Sequence, residues 1–310
     1  MLSIIHRECH ATIIMSLILI SPALVVSLPD AACSSDVEPI RVVVSVQPQA
    51  YFVERVGGKY VDVEVLVGPG RSPATYEPTP QQMVRLQQAD LYFSIGVPFE
   101  SGLLPKVRGL HSDLRLVDMR RGIEDSSPID QHEPHAGHGH DHAGVDSHVW
   151  LDPAKVKVMA QTVLQELSHL HPQRESWFQD NLQLFLNDLD SVDVRIRQRL
   201  SDVQGKTFYV FHPAYGHFAR AYGLNQVAVE VDGKEPGPAQ LADVIKQARR
   251  DKVGVIIVQP QFAQKSAETI AAAIGGEVLS LDPLAYDYLT NLEEMADKLA
   301  RVLGGVDVKD

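Results

Sequence analysis

Between Pro172 and Val203, apolar residues fall at Phe178, Leu182, Phe185, Leu189, Val192, Ile196, Leu200 and Val203, every three or four positions, with polar residues between them. That spacing puts all eight on one stripe of a single α-helix. Some thirty residues at 1.5 Å each make about 45 Å, more than one small lobe needs. A coiled-coil segment is the alternative, and the chain offers no second stretch to pair with it. The helix is therefore expected to be a rigid backbone joining two halves.

Both halves read as α/β. In the first, Arg41–Gln47 is a β-branched run followed by Pro48, Val61–Val67 alternates before Gly68-Pro69-Gly70, and Leu91–Ile95 ends at Gly96. These are strand signals, and the stretch from Pro78 to Ala89 between two of them is helical. The lobe closes around Leu116–Asp118, and Asp152-Pro153 then starts a helix, with Asp as N-cap and Pro at the first helical position. The second half repeats the pattern. Strands are expected at Phe208–Phe211, Val227–Val231, Val253–Val258 and Val278–Leu281, with helices from Pro238 to Arg250 and from Phe262 to Ile274. Strands alternating with helices imply parallel sheets. The expected fold class is α/β: two lobes with parallel sheets joined by a long rigid helix. The expected division is residues 37–171 with an insert at 126–146, the linking helix 172–203, and residues 204–310.

A chain of 310 residues is long enough for two cores, and 45% hydrophobic with 22% charged residues is a soluble composition. Its formal charge of −12 argues against nucleic acid and anionic membrane surfaces, which select basic patches. Arg7 precedes a mostly apolar run from Ala11 to Leu28 that breaks at Pro29, so residues 1–32 read as a secretory signal peptide. Ser16, Ser21, Pro22 and Ser27 weaken the alternative of a membrane anchor. The mature protein is expected in the periplasm or at the extracytoplasmic face, as a monomer. Cys33 would be its one cysteine, so no disulfide is available; a lipid anchor there is an open alternative, although Asp30 stands where such a signal carries a large aliphatic residue.

The insert carries the chemistry most openly. HEPHAGHGHDH holds His132, His135, His138, His140 and His142, five of the chain's thirteen histidines, diluted with residues that cannot build a core. A mobile, solvated, metal-gathering loop is expected, because neutral imidazole is the commonest protein ligand for borderline first-row ions. Three more candidates have telling placements. His212 directly follows one predicted strand and Asp282 another, at the carboxyl ends where open α/β sheets bind ligands. His148 sits on the loop between the insert and the capped helix. No zinc-protease helix, P-loop or nucleophile turn is present: Pro134 and Gly137 would break a helix around Glu133.

Tyr76-Glu-Pro-Thr-Pro80, Asp146-Ser-His-Val-Trp-Leu-Asp-Pro153, Phe211-His-Pro-Ala-Tyr-Gly-His-Phe218, Pro260-Gln-Phe262 and Leu281-Asp-Pro-Leu284 occur in that order. Together with Ala89-Asp-Leu91 and Pro238-Ala-Gln-Leu241, they resemble the metal-binding substrate-binding proteins of zinc and manganese ABC importers, over nearly the whole mature chain. The resemblance implies two lobes with a metal held in the cleft between them, delivery to a membrane ABC permease, and His148, His212 and Asp282 as ligands. One position departs from the family pattern: Ala74 stands where a ligating histidine is usual. Three routes to a fourth ligand remain: water, a histidine of the insert, or Glu77 or His217 swinging in. Two imidazoles and one carboxylate favour Zn2+ over Mn2+, while copper or nickel would also bind such a set in a test tube. Two other functions stay open on the sequence alone. One is a secreted metalloenzyme with an open zinc position, for which Glu77 or Glu230 would have to be the base. The other is a periplasmic zinc buffer or chaperone working through the insert.

Overall fold

The computed structural model describes residues 38–111, 113–123, 146–230, 237–262 and 264–304. The signal segment, Cys33 and the histidine tract with His132, His135, His138, His140 and His142 lie outside the described residues. Along the chain run β1 (Ile40–Val46), α1 (Gln47–Gly57), β2 (Val61–Val67), α2 (Pro80–Gln88), β3 (Leu91–Ser94), α3 (Glu100–Leu110), β4 (Arg115–Asp118), α4 (Pro153–Leu170) and α5 (Glu175–Arg199). Then follow β5 (Thr207–Val210), α6 (Gly216–Ala221), β6 (Asn225–Ala228), α7 (Pro238–Arg250), β7 (Val255–Val258), α8 (Gln264–Ile274), β8 (Glu277–Ser280) and α9 (Tyr288–Gly304).

The strands form two four-stranded sheets, ordered β2-β1-β3-β4 and β6-β5-β7-β8, and every pairing is parallel. Strand position explains strand sequence. Central β1 is an almost unbroken apolar run, buried at every residue but Arg41, whereas edge strand β2 alternates and is only part-buried through Val65. The two sheets share one order, so each lobe has its strand carboxyl ends at a single edge.

Helix starts follow capping chemistry. The Asp152 carboxylate accepts from the Ala154 N–H at 2.9 Å with Pro153 at the first helical position of α4. Thr79 and Gln82 cap α2 reciprocally: the Gln82 N–H donates to Thr79 Oγ1 and the Thr79 N–H to Gln82 Oε1. Pro48 does not end the ordered segment after β1. It sits in the first turn of α1, where a missing N–H costs nothing.

The amphipathic stretch is helical over 25 residues, about 38 Å rather than 45 Å. Short 3-10 turns at Pro172–Arg174 and Ser201–Val203 take up its ends, because the backbone at Leu200 (φ −96°, ψ 2°) leaves the α conformation. All eight stripe residues are buried. They pack α5 against α1, α4 and α9. One hydrophobic core therefore runs from the first sheet through α5 to β5, α6 and α9, while a second, smaller core lies under α7 and α8. Among the described residues, no helix is long and apolar enough to cross a membrane.

Candidate metal centre

A cleft of about 170 Å³ opens where loops leave the strand carboxyl ends of both sheets. Ser72, Pro73 and Ala74 follow β2, and Val97 and Pro98 follow β3; from the other sheet come His212 and Pro213 after β5, Gln259, Gln261 and Phe262 after β7, and Pro283 and Leu284 after β8. Asp146, Ser147 and His148 complete the lining.

The structure brings His148 and His212 together, with ring centroids 5.4 Å apart. Each ring is fixed from behind by a buried carboxylate. Asp146 Oδ1 lies 2.8 Å from His148 Nδ1 and also accepts the His148 backbone N–H at 2.9 Å. Glu230 Oε2 lies 2.6 Å from His212 Nδ1. An ionised carboxylate can only accept, so Nδ1 of each ring carries the proton and Nε2 is the nitrogen left for a metal. Burial pushes the Asp146 carboxyl up, but hydrogen bonding and charge from His148, with further charge from His217, hold it below the usual aspartate range. Aromatic neighbours complete the orientation: Phe262 stacks on His212 at 4.9 Å and 24°, and Trp150 lies 5.1 Å from His148.

Sheet register explains the Glu230 contact. Val210 of β5 pairs with Ala228 of β6, so two residues further on His212 lies beside Glu230. The same step on the next strand pair, from Val258 and Ser280, sets Asp282 beside Pro260, and Gln261 follows it in the chain. Asp282 is part-buried beside the cleft, and its Oδ1 accepts from Gln261 Nε2 at 2.7 Å and from the Leu284 N–H at 2.9 Å. Among the described residues, no three His, Cys, Asp or Glu side chains already converge as a metal cage.

Of the other sequence candidates, Glu77 is exposed and outside the cleft lining, whereas Ala74 is part of it. His217 is buried behind the site: Nε2 is 3.1 Å from the Asp146 carbonyl, and Nδ1 is 2.7 Å from Lys155 Nζ and 2.9 Å from Arg220 Nη2. It braces Asp146. Gln259 is fully buried, and its Nε2 donates to the His212 carbonyl at 2.8 Å. Trp150 ties the His148 turn to the second sheet, its Nε1–H donating to the Pro283 carbonyl at 2.7 Å, while the Tyr288 hydroxyl donates to the Trp150 carbonyl at 2.7 Å.

Two parallel α/β lobes on a common helix, with a histidine-lined cleft at their strand ends, define the class: a two-lobed α/β binding protein. Residues 42–302 match the family described as ZnuA, zinc-uptake complex component A, periplasmic, and the chain belongs to that family. It is 27% identical over 266 residues to the zinc-binding lipoprotein AdcA of Streptococcus pneumoniae, covering 82% of this chain and 52% of the relative. The chain thus spans about half the length of that protein. It is 26% identical over 282 residues to the high-affinity zinc uptake system protein ZnuA of Yersinia pestis, covering 84% and 88% of the two chains. A crystal structure of a ZnuA deletion mutant with zinc bound superposes with a TM-score of 0.77 at 37% identity, over 86% of this chain and 98% of that one.

Proposed function

We propose that this chain is an extracytoplasmic receptor that captures a divalent metal ion, zinc first, and delivers it to the permease of an ABC importer. One observation carries the reading: two imidazoles face one cleft, each presenting Nε2 because a buried carboxylate holds its Nδ1. Carboxylate-backed histidine is the arrangement that orients a ring for metal and raises its basicity. His148 and His212 would bind through Nε2, and Asp282 would add its carboxylate on leaving Gln261, a nitrogen-rich set that suits zinc better than manganese. Residues 37–171 and 204–310 act on this reading as the two lobes, with 172–203 as their connection. The relatives named for zinc uptake and zinc binding support the cargo, and the periplasmic family description supports the location. Against the metalloenzyme alternative weigh the contact that ties Glu230 to His212 and the exposed place of Glu77 off the cleft lining.

Isothermal titration of zinc into the metal-free protein tests the reading. One tight site is expected, abolished when His148→Ala and His212→Ala are combined. Unchanged tight binding in that double variant would sink the assigned site.

A further inference from the structure

We propose that the cargo enters the cleft as a complex: a zinc ion carrying one small N,O-chelating molecule of about the size of a small α-amino acid. The inference rests on the zinc-receptor reading and adds what fills the rest of the coordination sphere.

The donors are one-sided. His148, His212 and Asp282 come from the loop before α4 and from the second sheet, whereas the first sheet contributes Ser72, Pro73, Ala74, Val97 and Pro98 to the wall. None of those five offers an imidazole, thiolate or carboxylate. Two imidazoles and one carboxylate leave zinc at least one ligand short, and zinc also accepts five-coordination. A bidentate ligand would make five.

The space is larger than a single water requires. Water's share of liquid volume is about 30 Å³, and an apolar cavity of about 150 Å³ takes up a six-carbon ring. The cleft of about 170 Å³ therefore suits a molecule of a few heavy atoms beside the ion. Its walls point the same way. Ala74, Val97, Pro98, Phe262 and Leu284 present hydrocarbon, which cannot hydrogen-bond the water shell of a hydrated ion. A chelating ligand replaces those waters and turns C–H groups to the wall.

A buried acceptor supplies the recognition once its side chain turns toward the ligand, because Gln259 Oε1 has almost no surface open to a water-sized group in this structure. Gln259 lines the cleft and is fully buried, and its Oε1 has no hydrogen-bond partner among the described residues. Exchanging the amide atoms would set Oε1 against the His212 carbonyl, two acceptors face to face, so the bond from Nε2 to that carbonyl decides the orientation. The free carbonyl needs a donor. A metal-bound primary amine keeps its N–H groups, and in an α-amino acid the same five-membered chelate ring places a carboxylate oxygen on the metal.

Titration calorimetry and native mass spectrometry on the metal-free protein test this, with zinc alone, glycine alone, zinc plus glycine, and zinc plus L-histidine. The expected species holds one protein, one zinc and one amino acid, and the amino acid does not bind without zinc. Zinc affinity, corrected for chelation by free amino acid, should rise about tenfold when the Gln259 carbonyl gains its donor. In Gln259→Leu the ratio of affinities with and without glycine should fall toward one, a ratio that cancels any general effect on His212. Ala74→His, at an exposed position that folding tolerates, should bind zinc alone and exclude the amino acid. A folded wild-type protein that binds zinc equally with and without glycine and shows no ternary species overturns the proposal. A protein that binds no zinc under any condition overturns the zinc-receptor reading itself.

Discussion

Replacing Glu230 tests whether the carboxylate behind His212 orients it for metal. Its side chain is 5% exposed and its Oε2 is 2.6 Å from Nδ1, so Glu230→Ala removes a charged acceptor from a dry position. Hydrogen bonds to charged groups contribute about 1.5–3 kcal/mol, which is roughly ten- to a hundredfold in affinity if the whole effect falls on the metal-bound state. Losses of about 10–100-fold for such outer partners agree with that figure. The effect has a ceiling, because Phe262 still stacks on the ring and Gln259 still holds the His212 carbonyl. Glu230→Gln keeps a neutral acceptor of the same shape, and neutral bonds have about half the strength of charged ones, so a loss of about three- to tenfold is expected. Competition titration against a colorimetric zinc chelator near neutral pH measures both variants, and thermal melts of the metal-free forms control for folding. Wild-type zinc affinity in a folded Glu230→Ala protein would refute the reasoning.

Three further outcomes follow from other contacts. Trp150→Phe leaves the buried Pro283 carbonyl without its donor, so unfolding free energy should drop by about 1–3 kcal/mol in urea melts; no drop would mean that another donor reaches that carbonyl. A methyl group at Gly216 would lie 2.8 Å from Asp146 Oδ2, so Gly216→Ala should displace the carboxylate behind His148 and weaken zinc binding without loss of helix content by circular dichroism; unchanged affinity would show that Asp146 yields without moving the ring. Burial keeps the His217 imidazole below its ordinary pKa of 6.5, Asp146 only partly opposing it, so the unfolded chain takes up a proton that the folded one resists. That contribution to stability is complete above pH 6.5 and lost as pH falls through the lower folded value, so the melting temperature of the metal-free protein should fall on acidification more steeply than that of His217→Gln. A steeper fall in the variant reverses the sign and removes the argument.

Most of the fold was legible because it rests on patterns that one segment carries alone. The stripe from Phe178 to Val203 is a property of one helix, and its burial followed the 3.6-residue period even though the helix proper stops at Arg199. Strand runs such as Val61–Val67 and capping signals such as Asp152-Pro153 are equally local. Four helices escaped, α1, α3, α6 and α9, and for two of them the physical reason is plain. Pro48 reads as a break until its place in a first turn is known, and α9, from Tyr288, begins after a loop whose Pro283 and Tyr286 conceal its start. The stripe also overstated the helix, because apolar spacing at Leu200 and Val203 persists through a 3-10 turn that buries the same side.

The candidate site stood out in the sequence only where strand ends marked it. His212 and Asp282 stand out because each follows an apolar run, but what holds each of them depends on which strand lies next door. Glu230 reaches His212 because β6 flanks β5 in parallel register, and Gln261 reaches Asp282 because β8 flanks β7. Periodicity reads one strand at a time, whereas sheet order is a relation between strands, so a carboxylate that serves as an outer partner looks from sequence like a free base. Asp146 is different: two residues ahead of His148, it bonds both the backbone N–H and the ring, a local contact that the sequence reading passed over because nothing there marks the carboxylate as a partner of the ring. Ala74 gains meaning in the same way. Its place in the chain says only that an expected histidine is missing, but its place in the cleft wall, which also carries two fixed imidazoles, gives that substitution a use under the proposal: room for the chelator that would complete the zinc sphere.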